Sequence, residues 1–152
     1  MRLLAALALA CSLAIALPVF AEPAEMRVIQ TPHKFDALLQ RMDRAVERHG
    51  LAVVARASAS QGAAARGIRI PGNAVVMVFR NDYAVRMLEA SVAAGIEAPL
   101  RFYVTENADG SATLSYRLPS TVFRPYRHAE LDRLAGELDV LFARIAADAA
   151  GR

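Results

Sequence analysis

Cysteine is almost missing from this chain: Cys11 stands alone in 152 residues. A single thiol excludes an internal disulfide and any metal site built on paired cysteines. Tryptophan is absent, and Lys34 is the sole lysine, so basic character rests on arginine. With 18 basic against 15 acidic residues the formal net charge is +3, too balanced for a nucleic-acid partner. The arginine bias has two readings, a codon preference or planar anion recognition. Only three histidines occur, His33, His49 and His128, and none is spaced as a His-Glu-x-x-His metal pair. Gly62 to Gly67 lacks the Lys-Ser/Thr ending of a phosphate loop, and no serine has Gly-x-Ser-x-Gly context. The sequence carries no catalytic signature, no cofactor motif and no metal motif.

What is present begins with the first 21 residues. Met1-Arg2 is a basic start, Leu3 to Leu17 is almost purely apolar, and Pro18-Val19-Phe20-Ala21 closes the segment with a small-x-small exit. This is the pattern of a secretory signal peptide, with cleavage expected before Glu22. It predicts a periplasmic or secreted domain of 152 − 21 = 131 residues. A retained membrane anchor would need about 20 apolar residues, more than the run offers before Pro18. A lipoprotein acylated on Cys11 would keep Ser12 to Phe20 as an apolar tail. In the soluble form Cys11 leaves with the leader, no stable membrane span remains, and stability rests on packing alone.

Glu22 to Glu25 is a polar spacer, and Met26 to Gln30 reads as a first strand, so residues 22–30 precede a single domain over 31–150. Thr31-Pro32 has the chemistry of a helix start, Thr31 as N-cap and Pro32 at the first helical position. Phe35, Leu38, Leu39, Met42 and Val46 follow as one apolar stripe, and His49-Gly50 ends the helix. Leu51 to Ala57 is a second strand, and Ser58 to Gly67 a loop or one weak helical turn. Ala74 to Phe79, after the turn at Pro71-Gly72-Asn73, reads as a central strand buried on both faces. Asn81 or Asp82 is placed to cap a helix carrying Tyr83, Ala84, Met87, Leu88 and Ser91 and ending at Gly95. Leu100 to Thr105 and Ser111 to Tyr116 form a hairpin about Asn107-Ala108-Asp109-Gly110. Leu118 to Tyr126, with two prolines, is expected to be irregular. A final helix begins near His128, with Leu131, Leu134, Leu138, Leu141, Phe142 and Ile145 on one face. This order predicts an α+β two-layer sandwich, a mixed or antiparallel sheet with helices on one side.

From Gly50 onward the motif order resembles the DUF302 family, a domain of unknown function with a TT1751-like fold. The carriers are Gly67-Ile68-Arg69-Ile70, then Phe79-Arg80-Asn81-Asp82 where the family has Phe-Gly-Asn-Pro. Ala98-Pro99-Leu100-Arg101-Phe102 resembles its Leu-Pro-Leu-Lys-Val, and Glu106 to Gly110, Leu114-Ser115-Tyr116, Pro119 and Arg127-His128 follow in order. The resemblance implies a TATA-binding-protein-like topology and a homodimer, and it implies no reaction. Many members carry Asp-His where this chain has Ser58-Ala59, so any chemistry using that histidine is missing here.

Phe123-Arg124-Pro125-Tyr126-Arg127-His128 is the densest chemistry in the chain. Arg124, Tyr126, Arg127 and His128 before a helix start suit an anion or carboxylate on a pocket rim. The plainer reading has Phe123 and Tyr126 pinning the connection while the arginines face water. Arg80 and Asn81, after the central strand, form a second candidate, with helix capping as the alternative. His33 and His49 are placed at opposite ends of one helix, about 24 Å apart, His49 as a dipole-compensating cap. The leading expectation is an exported, non-catalytic domain binding a small anionic ligand or an exported protein partner. The rivals are a small hydrolase or lyase using His128 with a serine or carboxylate, and a metal-handling protein.

Overall fold

The computed structural model describes residues 26–152, so the leader, its cleavage site and Cys11 lie outside the described residues. Five strands, β1 (Met26–Lys34), β2 (Ala52–Ala57), β3 (Asn73–Phe79), β4 (Leu100–Glu106) and β5 (Ser111–Arg117), form one sheet ordered β1-β5-β4-β3-β2. Every neighbouring pair is antiparallel. Helices α1 (Phe35–Arg48) and α5 (Ala129–Ala150) form the second layer, with shorter helices α2 (Ala59–Ala64), α3 (Asn81–Ala90) and α4 (Pro119–Phe123) in the connections. The two-layer α+β sandwich anticipated from the sequence is the observed fold.

The core follows from two periodicities. Along β3, Ala74, Val76 and Val78 are buried, as are Phe102 and Val104 of β4 and Ala112, Leu114 and Tyr116 of β5. Step-two alternation points them all to one face. Leu38, Met42, Ala45 and Val46 of α1 cover that face beside Phe142, Ile145, Ala146 and Ala149 of α5. Phe142 stacks on Phe102 with centroids 4.5 Å apart and planes 16° apart, and Tyr116 tilts against both rings. The first half of α5 serves a second cluster, in which Leu131, Leu134 and Leu138 pack with Met87, Ala94 and Phe123. At 22 residues α5 is about 33 Å long, enough to span both clusters.

The end of α5 is tied to the other helix by charge. Arg41 of α1 donates through Nε to Ala149 O (2.6 Å) and through its guanidinium to Asp148 O (3.1 Å). Both carbonyls lie in the last turn of the helix, where Gly151 N also donates to Asp148 O at 3.2 Å. The Asp148 carboxylate meets His49 Nε2 at 2.8 Å and Arg48 at 3.0 Å.

Five local expectations are corrected. Thr31-Pro32 does not start a helix, because β1 runs on to Lys34 and α1 begins at Phe35. Thr31 is buried and its Oγ1 donates to Ala112 O at 2.7 Å, while Pro32 sits at an irregularity between Thr31 and Lys34, where a missing N–H is tolerated on an edge strand. His33 is therefore a strand residue. Its Nε2 lies 3.2 Å from Ala150 O, so both it and His49 meet the end of α5 and the separation along one helix does not apply. β3 is fully buried on one face only, since helices cover just that side. Asn81 and Asp82 are the first residues of α3, capped by the Arg80 backbone without a side-chain bond, and the helix ends at Ala90 rather than Gly95. There Ser91 turns to extended backbone and its side chain caps a 3-10 segment, Val92–Glu97. Leu118 to Tyr126 is regular after all. Pro119 opens α4 and Pro125 lies in the first positions of a 3-10 turn, where an absent N–H costs little.

Two predictions follow from this packing. Phe142→Ala removes the ring shared by Phe102 and Tyr116 and is expected to cost about 3–5 kcal/mol, read as a lower urea midpoint at unchanged slope. The second concerns acid. The Asp148 carboxyl is held below the ordinary aspartate range, first by its His49 hydrogen bond and then by Arg48. A depressed native value contributes stability that is present above the unfolded carboxyl's titration and lost as pH falls through the native one. Asp148→Asn is expected to melt earlier at neutral pH and to lose less than the parent on acidification; parallel acid limbs would contradict the tie.

Candidate functional site: the open face of the sheet

The face of the sheet turned away from α1 and α5 is built by the same alternation that makes the core. The pairing Phe102↔Tyr116 and Tyr103↔Ser115 fixes β4 against β5. By that register Arg101 stands opposite Arg117, both exposed and on the open face. Met26 pairs with Arg117 on the far side and Met77 with Arg101 on the near side. One row across the sheet therefore reads Met26, Arg117, Arg101, Met77. The next row reads Val28, Ser115, Tyr103, Val75, Ala57.

Met26, Arg117 and Arg101 of the first row and Ser115, Tyr103, Val75 and Ala57 of the second line a broad concavity of about 720 Å³, bordered by Ser58, Ala59 and Asn73. Val28 and Tyr103 are 41% and 42% exposed, although both are large and mainly apolar. Two guanidinium groups side by side offer charge-assisted hydrogen bonds to a carboxylate or phosphate. The lip is held by a polar network. Ser58 accepts from Gln61 N and caps α2, its Oγ lies 3.0 Å from Ser60 Oγ, and Asn73 Oδ1 accepts from Ala59 N. Burial raises the Tyr116 phenol above its ordinary value.

The residues singled out from the sequence lie elsewhere. Arg124 and Tyr126 belong to the 3-10 turn, Arg127 adopts a left-handed conformation (φ 49°, ψ 51°), and His128 is the N-cap of α5 without a side-chain cap bond. Tyr126 packs against the second core cluster and its hydroxyl donates to Glu97 at 3.0 Å, with burial and then Glu97 raising its titration. That contact pins the connection to the core. His128 borders a polar cleft of about 310 Å³ with Arg86, Glu89 and Glu130, which no serine lines.

Arg80 and Asn81 stand at the opposite end of α3. The Arg80 guanidinium grips Asp82 at 2.7 and 2.9 Å and lies 3.9 Å over the Tyr83 ring. Hydrogen bonding to Asp82 raises the Arg80 titration and lowers that of Asp82. Ten residue steps, about 15 Å of α3, separate Arg80 from Ala90 at the edge of the His128 cleft. The six residues thus form two groups in the helical layer, and neither lines the open face.

Sequence reasoning passed over Arg101, Tyr103 and Arg117. Their one local signal is the step-two spacing in Arg101-x-Tyr103 and Ser115-x-Arg117, which marks a shared face but not the neighbour across the strands. Among the described residues no group of three His, Cys, Asp or Glu side chains is placed to hold a metal ion, and no helix is long and apolar enough to cross a membrane.

Among the described residues, the arrangement defines an α+β domain with a five-stranded antiparallel sheet, helices on one face and an arginine-bearing face that no helix covers. A family model described as "Domain of unknown function DUF302" matches residues 27–149, and the chain belongs to that family. A solved structure described as an uncharacterized conserved DUF302 protein from Bacillus stearothermophilus is similar in fold. Its TM-score is 0.71 at 15% identity, covering 82% of this chain and 95% of that one. No curated protein matches.

Proposed function

We propose that this chain is an exported, non-catalytic binding domain whose open sheet face holds a small anion with an apolar body. The observation that carries the reading is the Arg101–Arg117 pair beside Met26, Val75 and Tyr103 in the lining of the concavity. Paired guanidinium groups suit a carboxylate or phosphate, and the methionine, valine and tyrosine surfaces beside them suit an aliphatic or aromatic remainder. Its volume is in the range of small-molecule sites. Among the described residues, the concavity's lining has hydroxyls but neither histidine nor carboxylate. Ser58 and Ser115, among the described residues, have no base beside them in that lining, and a serine nucleophile needs one. Export rests on the charged start, apolar run and small-x-small exit of residues 1–21.

The test uses protein recovered from the exported fraction, whose intact mass is expected to begin at Glu22. Calorimetric titration with octanoate should show saturable binding that weakens with added salt. Acetate should bind more weakly, and octyltrimethylammonium not at all. Arg101→Ala combined with Arg117→Ala should weaken octanoate binding by about tenfold or more, the loss of charge-assisted hydrogen bonds. Equal affinity in the double variant, or loss only on Arg124→Ala with Arg127→Ala, would overturn the site.

A further inference from the structure

At the end of the sheet where β4 starts and β5 ends, a second cleft of about 290 Å³ adjoins the open face. Arg101 and Arg117 line this cleft as well as the concavity. Its other walls are Leu100, Val122, the core ring of Phe142 and one carboxylate, Glu97. Glu97 closes the 3-10 segment Val92–Glu97, three residues before β4 begins at Leu100. Its Oε1 accepts from the Tyr126 hydroxyl at 3.0 Å, and Tyr126 packs against the second core cluster. The carboxylate is thereby anchored, while Oε2 takes no part in that bond. Two cations from the sheet and one anchored anion from the helical layer thus meet in one small cleft, alongside apolar surface.

We propose that the ligand of the open face is a zwitterion, an α-amino acid with an apolar side chain. The inference rests on the Arg101–Arg117 site proposed above and adds Glu97 to it. The ligand's carboxylate lies between the two guanidinium groups, which pair with it through charge-assisted hydrogen bonds. Its ammonium turns over the end of the sheet toward Glu97, and its side chain runs along Val75 and Tyr103 of the concavity. The mixed signs of the cleft select this class. A plain carboxylate leaves the Glu97 anion without a countercharge, and a phosphate monoester brings more negative charge beside it. A plain amine meets two arginines. Like-charge juxtaposition of either kind is a penalty against the wrong ligand. In an α-amino acid both charged groups sit on one carbon, so a cleft just below the usual size of a small-molecule site can address the two together.

Calorimetric titration of the exported protein with 2-aminooctanoate, 2-hydroxyoctanoate and octanoate is the test, since the three differ at one carbon only. The expected result is that 2-aminooctanoate binds about tenfold or more tighter than either of the others, the gain of one charge-assisted hydrogen bond. Glu97→Gln keeps an oxygen for the Tyr126 hydroxyl and removes the charge. It should erase that preference and leave octanoate binding undiminished. Equal affinity of the parent for the three ligands, or a preference that survives Glu97→Gln, would overturn the inference and leave the octanoate site standing. Failure of all three to bind, or binding indifferent to Arg101→Ala with Arg117→Ala, would instead overturn the site on which it rests. Should Glu97→Gln not fold, the parent decides: a tenfold lead of the amino over the hydroxy compound supports the zwitterion, and equal affinity refutes it.

Discussion

The Phe142 ring lying on Phe102, with Tyr116 tilted against both, is the contact on which the rest of the molecule depends. It fixes which side of β4 and β5 faces the helices. A strand's side chains alternate strictly, so this choice also fixes what faces away. Phe102 inward means Arg101 and Tyr103 outward, and Tyr116 inward means Ser115 and Arg117 outward. A slip of one residue in either strand would bury an arginine and expose an aromatic ring. The open face is thus a consequence of the core, held in place by it.

The long helix extends this constraint. α5 presents Phe142, Ile145 and Ala149 to the sheet, and Leu131, Leu134 and Leu138 to the cluster around Phe123 and Met87. Its last carbonyls are held by Arg41, while His49 and Arg48 grip Asp148. Apolar contact therefore sets the position of the helix along the sheet, and charged contact ties its end against α1. Asp148 also links the C-terminal turn of α1 to that of α5, two segments far apart in sequence.

Much of the architecture was legible because its signals are local. The stripe Phe35, Leu38, Leu39, Met42, Val46 and the stripe Leu131, Leu134, Leu138, Leu141, Phe142, Ile145 both announce their helices; Phe35, Leu39 and Leu141 are half-buried and the other eight are buried. The hairpin at Asn107-Ala108-Asp109-Gly110 follows from turn chemistry, with Gly110 at φ 80° and Asp109 accepting from Ser111 N. The failures share a cause. Thr31-Pro32 has the local chemistry of a helix cap, and what overrules it is a hydrogen bond to Ala112, 81 residues away. The run Ala74 to Phe79 is apolar throughout, which hides that Val75 and Met77 lie on an uncovered face. The arginine pair was invisible for the same reason. Arg101 and Arg117 become neighbours only through register, whereas Arg124, Arg127 and His128 crowd together in sequence without forming a shared pocket with Arg80.

In the proposed function it is the uncovered face, and not the arginine-rich connection before α5, that receives the ligand. Amide chemical-shift mapping during an octanoate titration tests it most directly. The shifts are expected to gather on residues 101, 103, 115 and 117 and along the neighbouring positions of β1 and β3. Shifts concentrated at residues 124–128, with the sheet residues unmoved, would contradict it.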